Sequence, residues 1–210
     1  MIDENKINNV KKYFDNTLSK FGPTSKGVDW NTEETRESRF EQIMKVVKSV
    51  GPFSILDYGC GYGALVDYLQ KKRFAISQYM GYDILESMID AARSVYGYLD
   101  WASFTTSIDE APKVDYAVAC GVFNMKLEAG FDEWTGFVIK SLHEMDAHSR
   151  LGFSSNFLTK YSDADKMRPD LYYADPCFLF DYCKTHFSKD VAILHDYGMY
   201  DFTLIVRKSQ

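Results

Sequence analysis

No apolar run in this 210-residue chain approaches the ~20 residues that a bilayer-spanning helix needs. The opening, MIDENKINNVKKYF, carries acids where a secretory leader has a basic and then an apolar region. Both absences point to an unprocessed, cytoplasmic chain with no membrane partner. Cysteine is scarce, with Cys60, Cys120, Cys177 and Cys183 the only four. No two have C-x-x-C spacing, and no His-x-x-x-His pair completes a zinc set, so no metal is expected. They read as free thiols of a reducing compartment. A basic excess is missing too: 24 Lys and Arg face 30 Asp and Glu, for a net charge of -6. Duplex nucleic acids are held largely by neutralising phosphates, which argues against them as partners. Repeats, low-complexity tracts and domain linkers are absent, and one domain over residues 1–210 follows.

What is present is an ordinary globular composition, 46% hydrophobic and 26% charged. Residues 1–30 show no clean period, and Phe21 to Asn31 reads as loop. TEETRESRFEQIMKVVKSV reads as a helix, with Asn31 and Glu34 as a capping pair and Gly51-Pro52 as its stop. Strand-like FSILDYG precedes helical GALVDYLQKKR. QYMGYDI precedes LESMIDAARSVYG, and ASFTTSI is a weaker third strand. VDYAVACGVF is a nearly continuous apolar run, as in parallel strands buried on both faces. FDEWTGFVIKSLHEM is helical, with Phe131, Trp134, Val138, Leu142 and Met145 on its apolar face. RLGFSSNFL is a fifth strand, and PCFLFDYCKTHF a further helix. DVAILHDY and DFTLIVRK close the chain as an antiparallel hairpin. This alternation predicts an α/β fold with a mostly parallel sheet. The polar stretch 159–176, TKYSDADKMRPDLYYADP, reads as an insertion.

The most informative segment is Asp57-Tyr58-Gly59-Cys60-Gly61-Tyr62-Gly63-Ala64, at a strand end and opening a helix. Gly59-x-Gly61-x-x-Ala64 formally fits the dinucleotide fingerprint. Asp57 argues against it, because a carboxylate there repels a pyrophosphate. The same carboxylate favours a ligand bearing an ammonium and a sulfonium, such as S-adenosylmethionine (SAM). Gly63 extends the loop to D-x-G-x-G-x-G. The second strand ends at Asp83, which suits paired ribose hydroxyls, and continues as D-I-x-x-x-M-I-x-x-A through Ile84 and Met88.

Over about residues 40–160 the chain resembles the class I SAM-dependent methyltransferases. The resemblance implies a Rossmann-like three-layer sandwich and a seven-stranded sheet of order 3-2-1-4-5-7-6, its last strand antiparallel. It also implies SAM as cofactor, leaving as S-adenosylhomocysteine (SAH). Asp57, Gly59, Cys60, Gly61 and Gly63 would then hold the methionine and ribose end. Asp83, Ile84 and Met88 would hold the ribose and adenine. After the third strand the family usually has an acid and a small residue, where this chain has Ser107-Ile108, a departure at the adenine. Cys120 would close the cofactor site.

Ligands of such sheets sit at the carboxyl ends of the parallel strands. This nominates Phe123, Asn124 and Asn156, and His195 and Tyr200 in the closing hairpin. His195, Asn124 and Tyr200 are the candidates for catalysis. Trp30, Phe123, Asn156, Arg168, Tyr172 and Tyr173 are the candidates for acceptor binding, with residues 1–31 as a lid and 159–176 as a substrate-side insertion. His143, His148 and His186 read as solvated or structural. The expected activity is methyl transfer to O or N of a small polar metabolite, sugar- or nucleotide-linked, by a monomer or homodimer. The alternatives are a non-catalytic SAM-binding scaffold and an NAD-type oxidoreductase.

Overall fold

The computed structural model describes residues 2–30 and 32–208. Contrary to the sequence reading, the N-terminal segment is an 18-residue helix, α1 (Glu4–Phe21). Asp3 caps it by accepting from the Asn5 N–H, and Gly22-Pro23 ends it. Ile7, Val10, Phe14 and Leu18 recur at helical spacing, a pattern that the interleaved Asn and Lys residues obscure. A short 3-10 turn (Ser25–Val28) follows. α2 (Glu33–Met44) is capped by Thr32, which accepts from the Thr35 N–H; Asn31, the expected cap, lies outside the described residues.

β1 (Phe53–Tyr58), α3 (Ala64–Lys71), β2 (Ile76–Tyr82), α4 (Glu86–Tyr96), β3 (Ala102–Thr105) and β4 (Val114–Ala119) come next. The second half runs α5 (Phe131–His148), β5 (Ser149–Thr159), β6 (Tyr173–Ala174), α6 (Pro176–His186), β7 (Asp190–Leu194) and β8 (Asp201–Arg207). The sheet order is β3-β2-β1-β4-β5-β8-β7, with two-residue β6 paired to the end of β5. With β6 set aside, this is the order 3-2-1-4-5-7-6 that the family resemblance implies. β8 runs antiparallel to both β5 and β7.

Alternate strand residues feed two cores, which makes three layers. Leu56, Ala117 and Phe153 face α5 and α6 through Trp134, Leu142 and Leu179. Ile55, Tyr79 and Val118 face α2, α3 and α4 through Ile43, Leu69 and Ile89. Phe131 was expected on the buried stripe of α5 but is 51% exposed, because it sits in the first turn, beyond the sheet.

Two departures from regular βαβ winding shape the carboxyl rim. The β3–β4 connection holds only a three-residue 3-10 turn, Ile108–Glu110, so no crossover helix covers β1 and β2 beside α5. α1 lies across that gap. At one end the Asp3 N–H donates to Glu133 of α5 at 2.9 Å and Lys6 pairs with the same carboxylate. At the other, Ser87 of α4 donates to Asp15. The 159–176 stretch folds back on the β4–α5 loop, where the Lys126 and Leu127 N–H groups donate to the Asp170 carbonyl.

Candidate functional site

The β1–β2 pairing builds the site. Register places Asp57 beside Gly81 and Tyr58 beside Tyr82. The glycine loop then folds over the end of β2, its Gly59 and Cys60 N–H groups donating to the Tyr82 carbonyl at 2.7 and 2.9 Å. Gly59 has φ +74°, and a Cβ there would stand 2.4 Å from Val122; only glycine fits both constraints. Asp83 ties the loop to the second motif. One of its oxygens accepts from the Gly61 N–H at 2.9 Å, the other from the Leu85 N–H at 3.0 Å. Each oxygen retains a lone pair for a ligand hydroxyl.

These residues form the floor of a cavity of about 750 Å3, within the range of small-molecule sites. Its roof is the underside of α1, presenting Ile7, Val10 and Phe14. Asp57, Gly59, Cys60, Gly61, Asp83, Ile84, Met88, Ile108 and Cys120 all line it, as does Trp30. Ten residues nominated from sequence are thus brought together. Gly63 is not on the wall; it caps α3. Ser107 precedes the Ile108–Glu110 turn, its N–H donating to Thr105.

Electrostatically the floor is poised to receive positive charge. Asp57 is 3% exposed and accepts from the Tyr79 hydroxyl at 2.7 Å. Burial pushes its carboxyl up to about 7, with Asp83 nearby adding to the rise and Tyr79 opposing it. Asp83 is pushed up to about 6, again by burial, against the two N–H groups that favour its ionised form. A ligand cation between them offsets the cost of ionising both. Opposite stands Arg36, a buried cation that the sequence reading missed, and one arginine in an acid-rich helix start gives little signal. Its Nη1 donates to Ser25 and to the Tyr62 hydroxyl at 2.9 and 2.6 Å. Among the described residues its Nε is buried without a partner, which suits a ligand carboxylate. Beside α5 the cavity ends in a second polar group, where the Tyr58 hydroxyl donates to Glu144 at 2.6 Å and lies 3.1 Å from the Ser141 hydroxyl, whose proton it can accept. Burial raises the Tyr58 phenol well above its ordinary range. The floor therefore fits a zwitterionic ligand that also carries a cation and vicinal hydroxyls.

The remaining nominated residues stand elsewhere. His195 is exposed beyond β7, and Tyr200 donates its hydroxyl to Asp163 on the surface. Asn124 lies outside the cavity wall and receives the Tyr172 N–H on its carbonyl. None of these three lines the cavity. β7 is four strands from β1, and strands lie about 4.8 Å apart, so its end is roughly 19 Å away. Phe123 is core, stacked on Phe157 at 5.2 Å. Tyr172 is 1% exposed and bonded to Thr135 rather than directed at a ligand. Tyr173 accepts from the Arg168 N–H, and Arg168 pairs with Asp170. Asn156 is fully buried and acts from behind the wall, accepting from the Gly121 N–H at 2.8 Å. Among the described residues no cluster of three His, Cys, Asp or Glu side chains suits a metal, and no helix is long and apolar enough to cross a membrane.

No known protein-family profile matches the chain. It is 49% identical over 166 residues to "Putative methyltransferase Rv1506c" of Mycobacterium tuberculosis, covering 79% of this chain and 99% of that protein. Solved structures share the fold at low identity. A phosphoethanolamine N-methyltransferase of Haemonchus contortus, in complex with phosphoethanolamine and SAH, superposes with TM-score 0.68 at 13% identity over 99% of this chain. The chain spans 50% of that enzyme's length. The N-methyltransferase NodS of Bradyrhizobium japonicum, in complex with SAH, superposes with TM-score 0.63 at 16% identity, covering 96% of this chain and 100% of NodS.

Proposed function

The chain belongs to the class I SAM-dependent methyltransferases, and we propose that it methylates an oxygen or nitrogen of a small polar molecule. One observation carries the small acceptor: the carboxylates and glycine loop face a cavity of about 750 Å3 that α1 roofs over. A duplex or a folded protein surface does not reach such a floor. SAM supplies an electrophilic methyl carbon on a sulfonium. Asp57 takes the ammonium, Arg36 the carboxylate and Asp83 the ribose hydroxyls. Ile84, Met88 and Ile108 give the adenine apolar faces. Trp30, Cys120 and Gly121 wall the end where the acceptor lies. Charge is lost as the methyl moves, so orientation and the exclusion of water by α1 favour the transition state. Residues 2–30 serve as the lid that admits the ligands.

Calorimetric titration with SAM, SAH and NAD tests the cofactor, and labelled SAM in a metabolite extract tests the transfer. SAM and SAH are expected to bind, and label is expected in a small molecule. NAD binding without SAM binding refutes the cofactor assignment; SAM binding with no transfer refutes catalysis and favours a scaffold.

A further inference from the structure

Five residues close a ring behind the acceptor end of the cavity, and two of them, Arg39 and Asp201, lie off its wall. Asn156 of β5 accepts from the Gly121 N–H through Oδ1, at 2.8 Å. Its Nδ2 donates to Asp201 Oδ1 at 3.1 Å. The other Asp201 oxygen accepts from Arg39 Nε and Nη2 at 3.0 and 2.6 Å. The Arg39 guanidinium lies over the Trp30 ring, 4.8 Å from its centroid. Trp30 in turn lies against Gly121, where a Cβ would stand 2.5 Å from Cζ2. The ring thus joins the last described residue of the N-terminal segment, α2, β4, β5 and β8, and it returns to where it began.

Such a ring is costly to assemble by chance. Asp201 is 1% exposed, and a buried ion pair recovers its desolvation only when its geometry and remaining hydrogen bonds are satisfied. Here both carboxylate oxygens are engaged, and the guanidinium uses its plane as well as its N–H groups. Gly121, at φ +76°, supplies the bare peptide on which the indole rests. Only Trp30 and Gly121 line the cavity; Arg39, Asn156 and Asp201 stand behind them.

We propose that Arg39 and Asp201 are positioning residues for methyl transfer. They hold Trp30 flat against the end of β4, which sets the acceptor wall and latches the lid segment. This rests on the cavity being the SAM site. Asp201→Asn keeps the shape and removes the charge; Arg39→Lys keeps the charge and removes the planar fork. The difference in emission between the unmodified protein and Trp30→Phe isolates Trp30. Each variant is compared with its own Trp30→Phe double, alongside stopped-flow release of SAH. In both variants Trp30 emission is expected to shift to the red and its acrylamide quenching to rise. SAH release is expected to quicken about tenfold, the scale of one charge-assisted hydrogen bond. Emission, quenching and release all unchanged, even with a lowered melting temperature, overturns the proposal, because a merely structural pair lowers stability alone. Should Asp201→Asn fail to fold, Arg39→Lys, which retains an ion pair, decides the matter. If the unmodified protein does not bind SAH, the SAM reading fails, while the emission measurement still decides whether the ring holds Trp30.

Discussion

Replacing Asp57 by asparagine should make the protein more stable and a worse binder, and the structure gives the reason for both signs. Asp57 lies at 3% exposure on a Tyr79 hydroxyl, with its carboxyl pushed up to about 7 by burial. In the unfolded chain it titrates near 3.9. Between about pH 4 and 7 the folded state therefore holds a proton that the unfolded state has released. Stability falls as pH rises through that window and levels off above it. That difference is worth a few kcal/mol, at about 1.4 kcal/mol for each pH unit. Asparagine keeps the shape and still accepts from Tyr79, but never ionises. At pH 8 the variant should melt higher than the unmodified protein; near pH 4 the two should converge.

Binding runs the other way. A ligand ammonium pairs with ionised Asp57, so SAM affinity in the unmodified protein should rise with pH toward 7, by up to tenfold per unit for one released proton. Asp83, pushed up to about 6, contributes to the lower part of the rise. Above about pH 8 the free α-amino group of SAM loses its proton, and affinity should fall again. Calorimetry at pH 5.5, 6.5, 7.5 and 8.5, in buffers of different ionisation enthalpy, reads affinity and proton release together. Asp57→Asn should bind SAM more weakly at pH 7.5 and lose most of the slope above pH 6. A flat profile in the unmodified protein, or the same slope in the variant, refutes the assignment of Asp57 to the ligand cation. A variant less stable than the parent at pH 8 refutes the burial argument itself.

Other substitutions separate the floor from its surroundings. Asp83→Ala should weaken SAM binding by about 1–3 kcal/mol through lost charged hydrogen bonds, measured by the same titration. Arg36→Met keeps the aliphatic stem and should weaken SAM binding by a similar amount, about 1–3 kcal/mol, with decarboxylated SAM much less affected. Gly59→Ala forces a side chain against Val122 at positive φ and should lower stability by about 1–3 kcal/mol in urea unfolding. Tyr172→Phe should cost about 1 kcal/mol of stability through the lost Thr135 bond and leave SAM affinity unchanged.

The floor of the cavity was legible because its residues are written locally. Asp57, Gly59 and Gly61 lie within five residues, and Asp83, Ile84 and Met88 follow one crossover later, so strand ends and helix starts place them without distant contacts. Regular βαβ alternation and the closing hairpin likewise pointed to a mostly parallel sheet with an antiparallel end, while the strand order came from the family resemblance. The rest of the cavity is built otherwise. Its roof is a helix whose apolar face, Ile7 to Leu18, is interrupted by Asn and Lys. Its cation, Arg36, sits in a run of acids. Its bracing pair, Arg39 and Asp201, is separated by 162 residues. None of these has a short-range signature.

That His195 and Tyr200 stand apart from the cavity has a geometric cause that bears on how the fold is used. The rule that ligands gather at the carboxyl ends of parallel strands fixes a rim, not a point on it. This rim is seven strands wide, and the loop after β1 places the cavity near one side of its centre. His195 and Tyr200 share the rim with Asp57 yet stand beyond β5, where β8 and the 159–176 stretch intervene. The antiparallel strand nonetheless reaches the site, because Asp201 at its start points back through Asn156 to Gly121. On the proposed reading the hairpin contributes by bracing the wall. A closing strand with no cavity-lining residue still has one, Asp201, whose substitution should be felt at the acceptor end.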